Sequence, residues 1–185
     1  MHPKQAGFTM IELMVTLAIL GIMLALTAPS FQTLVKNNLI AAETNRLVSD
    51  MQFARSEALK RGGPVILCRT GDPTAATPTC GGAPHTWSNG WLVYVSGDSN
   101  NTYEAATDTL LRVAQASPGG LTIKANGASN SNLEFNGDSS TNQGGSTARF
   151  AICDDRGTAH GRMVEIPPVG RLRRAAAVPS CAGPP

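Results

Sequence analysis

The sequence is poor in aromatic side chains and in recognisable catalytic apparatus. Phe, Trp and Tyr make up 5% of its 185 residues. Gly, Ser, Thr and Asn are plentiful after residue 70 instead, which favours a loop-rich β domain over a helical one. The three histidines, His2, His85 and His160, are scattered, and no GxSxG, HExxH or P-loop pattern occurs. A Ser/His/Asp set can be assembled from any loop-rich chain and carries no weight here. The sequence therefore does not read as an enzyme. It has no CxxC pair and no histidine beside a cysteine to complete a zinc tetrahedron. Asp98, Asn100, Thr102 and Glu104 alternate as oxygen ligands to calcium would, but Tyr103 stands where an EF-hand needs Gly and Thr109 where it needs Glu. A solvated loop with Asx turns is the better reading, and no cofactor or metal is expected. The formal net charge of +2 says little about partners.

Charge is also missing from the N-terminal stretch, and there the absence is informative. Between Phe8 and Val35 the one charged side chain is Glu12. Roughly 20 apolar helical residues cross a bilayer core, so this stretch is long enough to span. Lys4, before the apolar run, fits a cytoplasmic N-terminus. A secretory signal peptide is the rival reading, but Ala25-Leu26-Thr27-Ala28 is a poor cleavage site and a carboxylate inside the run is out of place. An ionised carboxylate in hydrocarbon costs at least a few kcal/mol unless paired, so Glu12 is a functional residue or an interfacial one that snorkels.

The length suits one membrane helix and one globular domain. After Pro29, where a bend or loosening is expected, the helix should continue to about Arg61. Ile40, Leu47, Met51, Ala54 and Ala58 recur at helical spacing, Ala41 and Val48 widen the stripe, and Glu43, Asn45 and Asp50 lie mostly off it. Gly62-Gly63-Pro64 ends the helix. Strands are predicted at 65–68, 90–95, 110–113, 121–123, 133–135, 149–153 and 162–166, with a last short one at 169–173. Residues 69–89 and 136–147 read as loops. A helix followed by antiparallel strands is an α+β order. Four cysteines allow three pairings; beyond the inner membrane disulfides are the default, and Cys68–Cys80 with Cys153–Cys181 would each close a local loop.

Gly7-Phe8-Thr9-Met10-Ile11-Glu12 resembles the processing site of type IV prepilins and type II secretion pseudopilins. The resemblance implies cleavage by prepilin peptidase between Gly7 and Phe8, N-methylation of Phe8, and pairing of Glu12 with the N-terminal ammonium of a neighbouring subunit. Each charge would neutralise the other in a medium that tolerates neither alone. Phe53-Ala54-Arg55-Ser56-Glu57-Ala58, Gly90-Trp91-Leu92-Val93 and Gly170-Arg171-Leu172-Arg173 resemble the GspH/FimT branch of minor pilins. The implied layout is a leader at 1–7, a transmembrane and filament-core helix at 8–35, and a periplasmic or extracellular domain at 36–185. The implied fold is the lollipop of pilins, a long helix packed on a mostly antiparallel sheet. Other major and minor pilins, prepilin peptidase and the inner membrane are the implied partners.

Arginine is concentrated at the C-terminal end, with Arg149, Arg156, Arg162, Arg171, Arg173 and Arg174 in the last fifth of the chain. If 170–174 is extended, Arg171 and Arg173 point one way, about 7 Å apart, close to the spacing of successive phosphates on a DNA strand. Guanidinium forks suit phosphate oxygens. In the FimT branch a C-terminal Gly-Arg-x-Arg motif is implicated in DNA uptake during natural transformation, and Gly170, Arg171 and Arg173 match it, with Arg174 additional. The resemblance thus implies DNA binding, and the absence of interleaved aromatics makes that binding backbone-directed and non-sequence-specific, with double-stranded DNA the expected partner. A solvated basic tail, or one that docks an acidic neighbour in the filament, is the alternative, as is a purely structural minor pilin or secretion pseudopilin.

Overall fold

A computed structural model of the chain describes residues 7–98, 100–175 and 177–185, without the side chains of 25–29 and 128. Gly7 and Phe8, at the expected cleavage site, are described; the rest of the expected leader, with His2 and Lys4, lies outside the described residues. The elements are α1 (Met10–Arg61), β1 (Val65–Arg69), β2 (Trp91–Val95), β3 (Thr109–Ala114), β4 (Thr122–Ala125), β5 (Asn132–Phe135), β6 (Ala148–Cys153), β7 (Arg162–Ile166) and β8 (Arg173–Ala175). The chain divides into two compact units between Asn38 and Leu39.

In the N-terminal unit α1 starts from a capped end. The Glu12 N–H donates to Thr9 Oγ1 at 3.3 Å, and Thr9-x-x-Glu12 is the spacing of a capping box. Phe8, Ile11, Leu17, Leu24, Phe31 and Leu34 are all exposed. Among the described residues no helix is long and apolar enough to cross a membrane. The side chains of 25–29, in the C-terminal half of the expected span and including Pro29, lie outside that description.

The second unit has its own core. Ile40, Leu47, Met51, Ala54 and Ala58 are buried along one face of α1, at the spacing their sequence positions predict. They pack on Val65, Leu67, Trp91, Val93, Phe135, Phe150, Ile152, Val164 and Ile166. Gly62 stops the helix in a left-handed conformation with φ +67, and its N–H donates to Ala58 O at 2.9 Å. Two side chains expected off the apolar stripe are in fact buried: Glu43 is 3% exposed and Asp50 8%. Each is partnered. Glu43 accepts from Arg46 Nη2 at 2.6 Å and Ser117 Oγ at 2.7 Å; Asp50 accepts from Trp91 Nε1 at 3.0 Å and Arg112 Nη1 at 2.8 Å. Apart from Arg46, one turn along the helix, these partners come from segments far along the chain, so helical periodicity could not reveal the burial.

The expected single sheet is two four-stranded antiparallel sheets, ordered β3-β2-β1-β5 and β4-β6-β7-β8. The division arises because β5 returns to pair with β1 while β4 pairs with β6. Trp87, within the stretch read as a loop, is fully buried edge-on to Phe150 at 5.0 Å and donates Nε1–H to Ser129 O at 3.2 Å. Cys68 is bonded to Cys80 and Cys153 to Cys181. The last strand is displaced from the expected 169–173 to β8. Gly170 closes a turn by donating its N–H to Pro167 O at 2.8 Å with φ +69, so pairing resumes only where Arg173 meets Glu165.

Leu47 sits in the middle of this core with no exposed surface. Leu47→Ala should therefore lower unfolding free energy by about 2–5 kcal/mol, measured by denaturant titration, without change in the slope of the transition.

Candidate functional site

The outer face of the β4-β6-β7-β8 sheet is covered at one end and open at the other. Inward-facing Ala148, Phe150 and Ile152 of β6 join the core. Ala151 and Cys153 face outward under Val178, which with the Cys153–Cys181 bond holds the C-terminal segment against the sheet. Arg149, also outward, stands at the other end of β6. The strand register places Arg149 opposite Glu165, and Glu165 opposite Arg173. Three side chains from β6, β7 and β8 thus form one row.

Glu165 is the centre of that row. Arg149 Nε donates to its Oε1 at 2.9 Å and Arg173 Nε to its Oε2 at 3.1 Å. The Glu165 side chain is 13% exposed, against 44% for Arg149 and 62% for Arg173. The Arg149 hydrogen bond above all, with the charge of Arg173 beside it, holds the Glu165 carboxyl below its ordinary range despite partial burial. A carboxylate whose charged form is favoured therefore lies between two guanidiniums, each held through Nε.

The other predicted arginines do not share one surface. Arg171 is exposed and makes no hydrogen bond or ion pair with a described residue. It precedes β8, so the extended run expected through 170–174 does not form. Leu172 packs against the core, which keeps Arg171 and Arg173 on the outside. Arg174 is opposite Val164, on the helix side of β8; its Nη2 reaches Asn45 Oδ1 at 3.4 Å, beside a cleft lined by Val48, Gln52, Val164 and Leu172. Arg156 is tied to Asp154 at 2.7 Å within its own turn.

Gly170 has a packing reason to be glycine. A Cβ there would come 1.8 Å from Ser139 O, in a backbone conformation that L side chains rarely adopt. Ser139 is held in turn by Arg55 Nη2 at 3.2 Å, and Thr141 N–H donates to Pro168 O at 2.8 Å. The 136–147 loop and Arg55 of the helix therefore set the turn from which Arg171 projects. The Phe53–Ala58 segment carries a family-like motif, but nothing local in the sequence connects it to this turn, because the contact spans residues 84 apart.

Elsewhere the chemistry is structural. Asp98 Oδ1 accepts the Asn100 N–H at 3.1 Å, and Asp108 accepts those of Gly97 at 2.9 Å and Glu104 at 2.8 Å. These carboxylates order the loop as Asx-type turns. Among the described residues no group of three or more His, Cys, Asp or Glu could hold a metal ion.

A family model described as Type II transport protein GspH matches residues 43–170, more than half of the chain, and the prokaryotic N-terminal methylation motif matches residues 2–28. The chain belongs to the GspH family. Two crystal forms of the Pseudomonas aeruginosa (strain PAO1) type IV minor pilin FimU have a similar fold. One is 22% identical over 79% of this chain and 97% of that chain, with a TM-score of 0.59. The other is 24% identical over 77% and 97%, with a TM-score of 0.55. No curated protein matches the sequence.

Membership of the GspH family makes the chain a minor type IV pilin or type II pseudopilin, a structural and non-enzymatic subunit. Its fold is that of pilins, a long N-terminal helix packed on antiparallel sheets. The methylation motif covers Gly7, Phe8 and Glu12 and indicates prepilin peptidase processing, inner-membrane anchoring and then assembly with other pilins.

Because Ser139 O leaves no room for a methyl group, Gly170→Ala in this GspH-family protein should lower stability by about 1–3 kcal/mol, read as a fall in thermal midpoint.

Proposed function

We propose that this chain is a minor type IV pilin that holds extracellular double-stranded DNA during uptake in natural transformation. The observation that carries the reading is the pair Arg171 and Arg173, both exposed at the open end of the sheet, on a segment tied down by a turn and a disulfide. Ordering the C-terminal segment in advance reduces the entropy lost on binding. Arginine offers planar donors matched to phosphate oxygens, and among the described residues no exposed aromatic row accompanies it for stacking on bases. Binding is therefore directed at the backbone, independent of sequence and sensitive to salt. Arg174 contributes charge from the edge.

Residues 8–35 form the membrane anchor and later the filament core in this reading. Large apolar side chains exposed around the helix need lipid or neighbouring helices to cover them. Glu12, the lone charge among them, pairs with the N-methylated ammonium of Phe8 in an adjacent subunit once the leader to Gly7 is removed.

The purely structural alternative, a minor pilin or secretion pseudopilin that contacts only other subunits, is favoured by one observation. Arg173 already has a carboxylate partner in Glu165, and Arg174 reaches Asn45. Two measurements separate and test these readings. For the full chain in detergent micelles, Arg171→Gln with Arg173→Gln should weaken duplex DNA binding and reduce the slope of log K against log salt by about two. Unchanged affinity in that variant, or none in the wild type, removes the DNA reading; normal piliation with failed transformation removes the structural one. Glu12→Ala should abolish incorporation into filaments while leaving the processed chain in the membrane, followed by immunoblotting of sheared pili and membranes.

A further inference from the structure

We propose that Arg149 is a further phosphate-contacting residue of this surface and that Glu165 is a built-in counter-anion that holds its affinity for DNA down. The inference rests on the DNA-binding reading above and assigns two residues to it that lie outside the C-terminal arginine motif. The register of β6, β7 and β8 decides the matter. Arg149, Glu165 and Arg173 are direct cross-strand neighbours on one exposed face. Neighbouring strands lie about 4.8 Å apart, so Arg149 and Arg173 start about 10 Å from each other on either side of the carboxylate. Both guanidiniums converge on that one anion, at 2.9 and 3.1 Å.

Each arginine meets Glu165 through Nε alone. The terminal nitrogens of both forks make no hydrogen bond to a described residue and remain able to donate to an incoming phosphate. Arg149 is also no more enclosed than a ligand-binding residue should be, with 44% of its side chain exposed. The surface a polyanion meets is therefore wider than Arg171 and Arg173. It extends across the sheet to β6, with one fixed negative charge at its centre.

That charge opposes DNA in two ways. It cancels one unit of positive potential where the backbone would lie, and it repels any phosphate that shares its guanidiniums. Its carboxyl remains ionised because both arginines favour the charged form. Glu165 thus orients two donors and limits how strongly they hold the strand. A moderate, salt-sensitive grip is what a strand-handling surface needs if the DNA is to be released.

The experiment uses the full chain in detergent micelles and a random-sequence DNA duplex, with affinity measured as a function of salt. Glu165→Gln keeps the side-chain shape and one accepting oxygen while removing the charge. It should raise affinity about five- to tenfold near 0.1 M salt and steepen the salt slope by about one. Arg149→Gln should weaken binding by a similar factor and flatten the slope by about one, whereas Arg149→Lys should preserve the slope. Thermal melting of each variant confirms that it is folded at the assay temperature. If Glu165→Gln binds no better than wild type, or Arg149→Gln binds as well as wild type, while Arg171→Gln with Arg173→Gln has lost binding, this inference is wrong and the proposed function stands. If the wild type binds no DNA, both are wrong.

Discussion

Everything in the globular unit depends on one face of α1. Ile40, Leu47, Met51, Ala54 and Ala58 form the surface on which both sheets are laid, and Trp91, Phe135 and Phe150 close over it. Burial of apolar surface is the main favourable term here, and neither four-stranded sheet could hide its inner face without the helix. The polar contacts reinforce this arrangement. Buried Asp50 takes the Trp91 indole and the Arg112 guanidinium, and Arg112 lies 3.7 Å above the Phe53 ring. Arg46 stacks 4.7 Å above Trp91 while pairing with Glu43. These side chains tie the β3 edge and the segment at 115–117 to the helix, where apolar packing alone would leave orientation free.

The C-terminal arginines are placed by a second set of constraints. Cys153–Cys181 anchors the tail, Ser139 forces the Gly170 turn, and β8 pairs for three residues with β7. Each acts on a short segment that would otherwise be free to fray. Together they turn a basic tail into a surface with defined donors. The loop at 136–147 has little apolar content, yet it supplies the carbonyl that dictates a glycine and the N–H that ties down Pro168. Its polar composition reflects this role in hydrogen bonding, not an absence of structure.

Glu165 shows how far a charge count differs from a charge arrangement. Counted along the sequence, it merely offsets one arginine. In the sheet it binds two, and its own titration is displaced by them. Arg174, adjacent to Arg173 in the chain, faces the opposite way because consecutive strand residues alternate between faces. A run of basic residues is therefore divided between two surfaces as soon as it joins a strand.

Local chemistry was enough to settle several features: the helix stripe, the Gly62 stop and the β2 strand from its aromatic and β-branched residues. In these cases the cause lies within a few residues of the effect. Burial of Glu43, Asp50 and Trp87, the split into two sheets, the start of β8 and the Arg149–Glu165–Arg173 row were decided only when distant segments met. Their causes are partners tens of residues away, and cross-strand register or a remote hydrogen-bond acceptor leaves no mark on local periodicity.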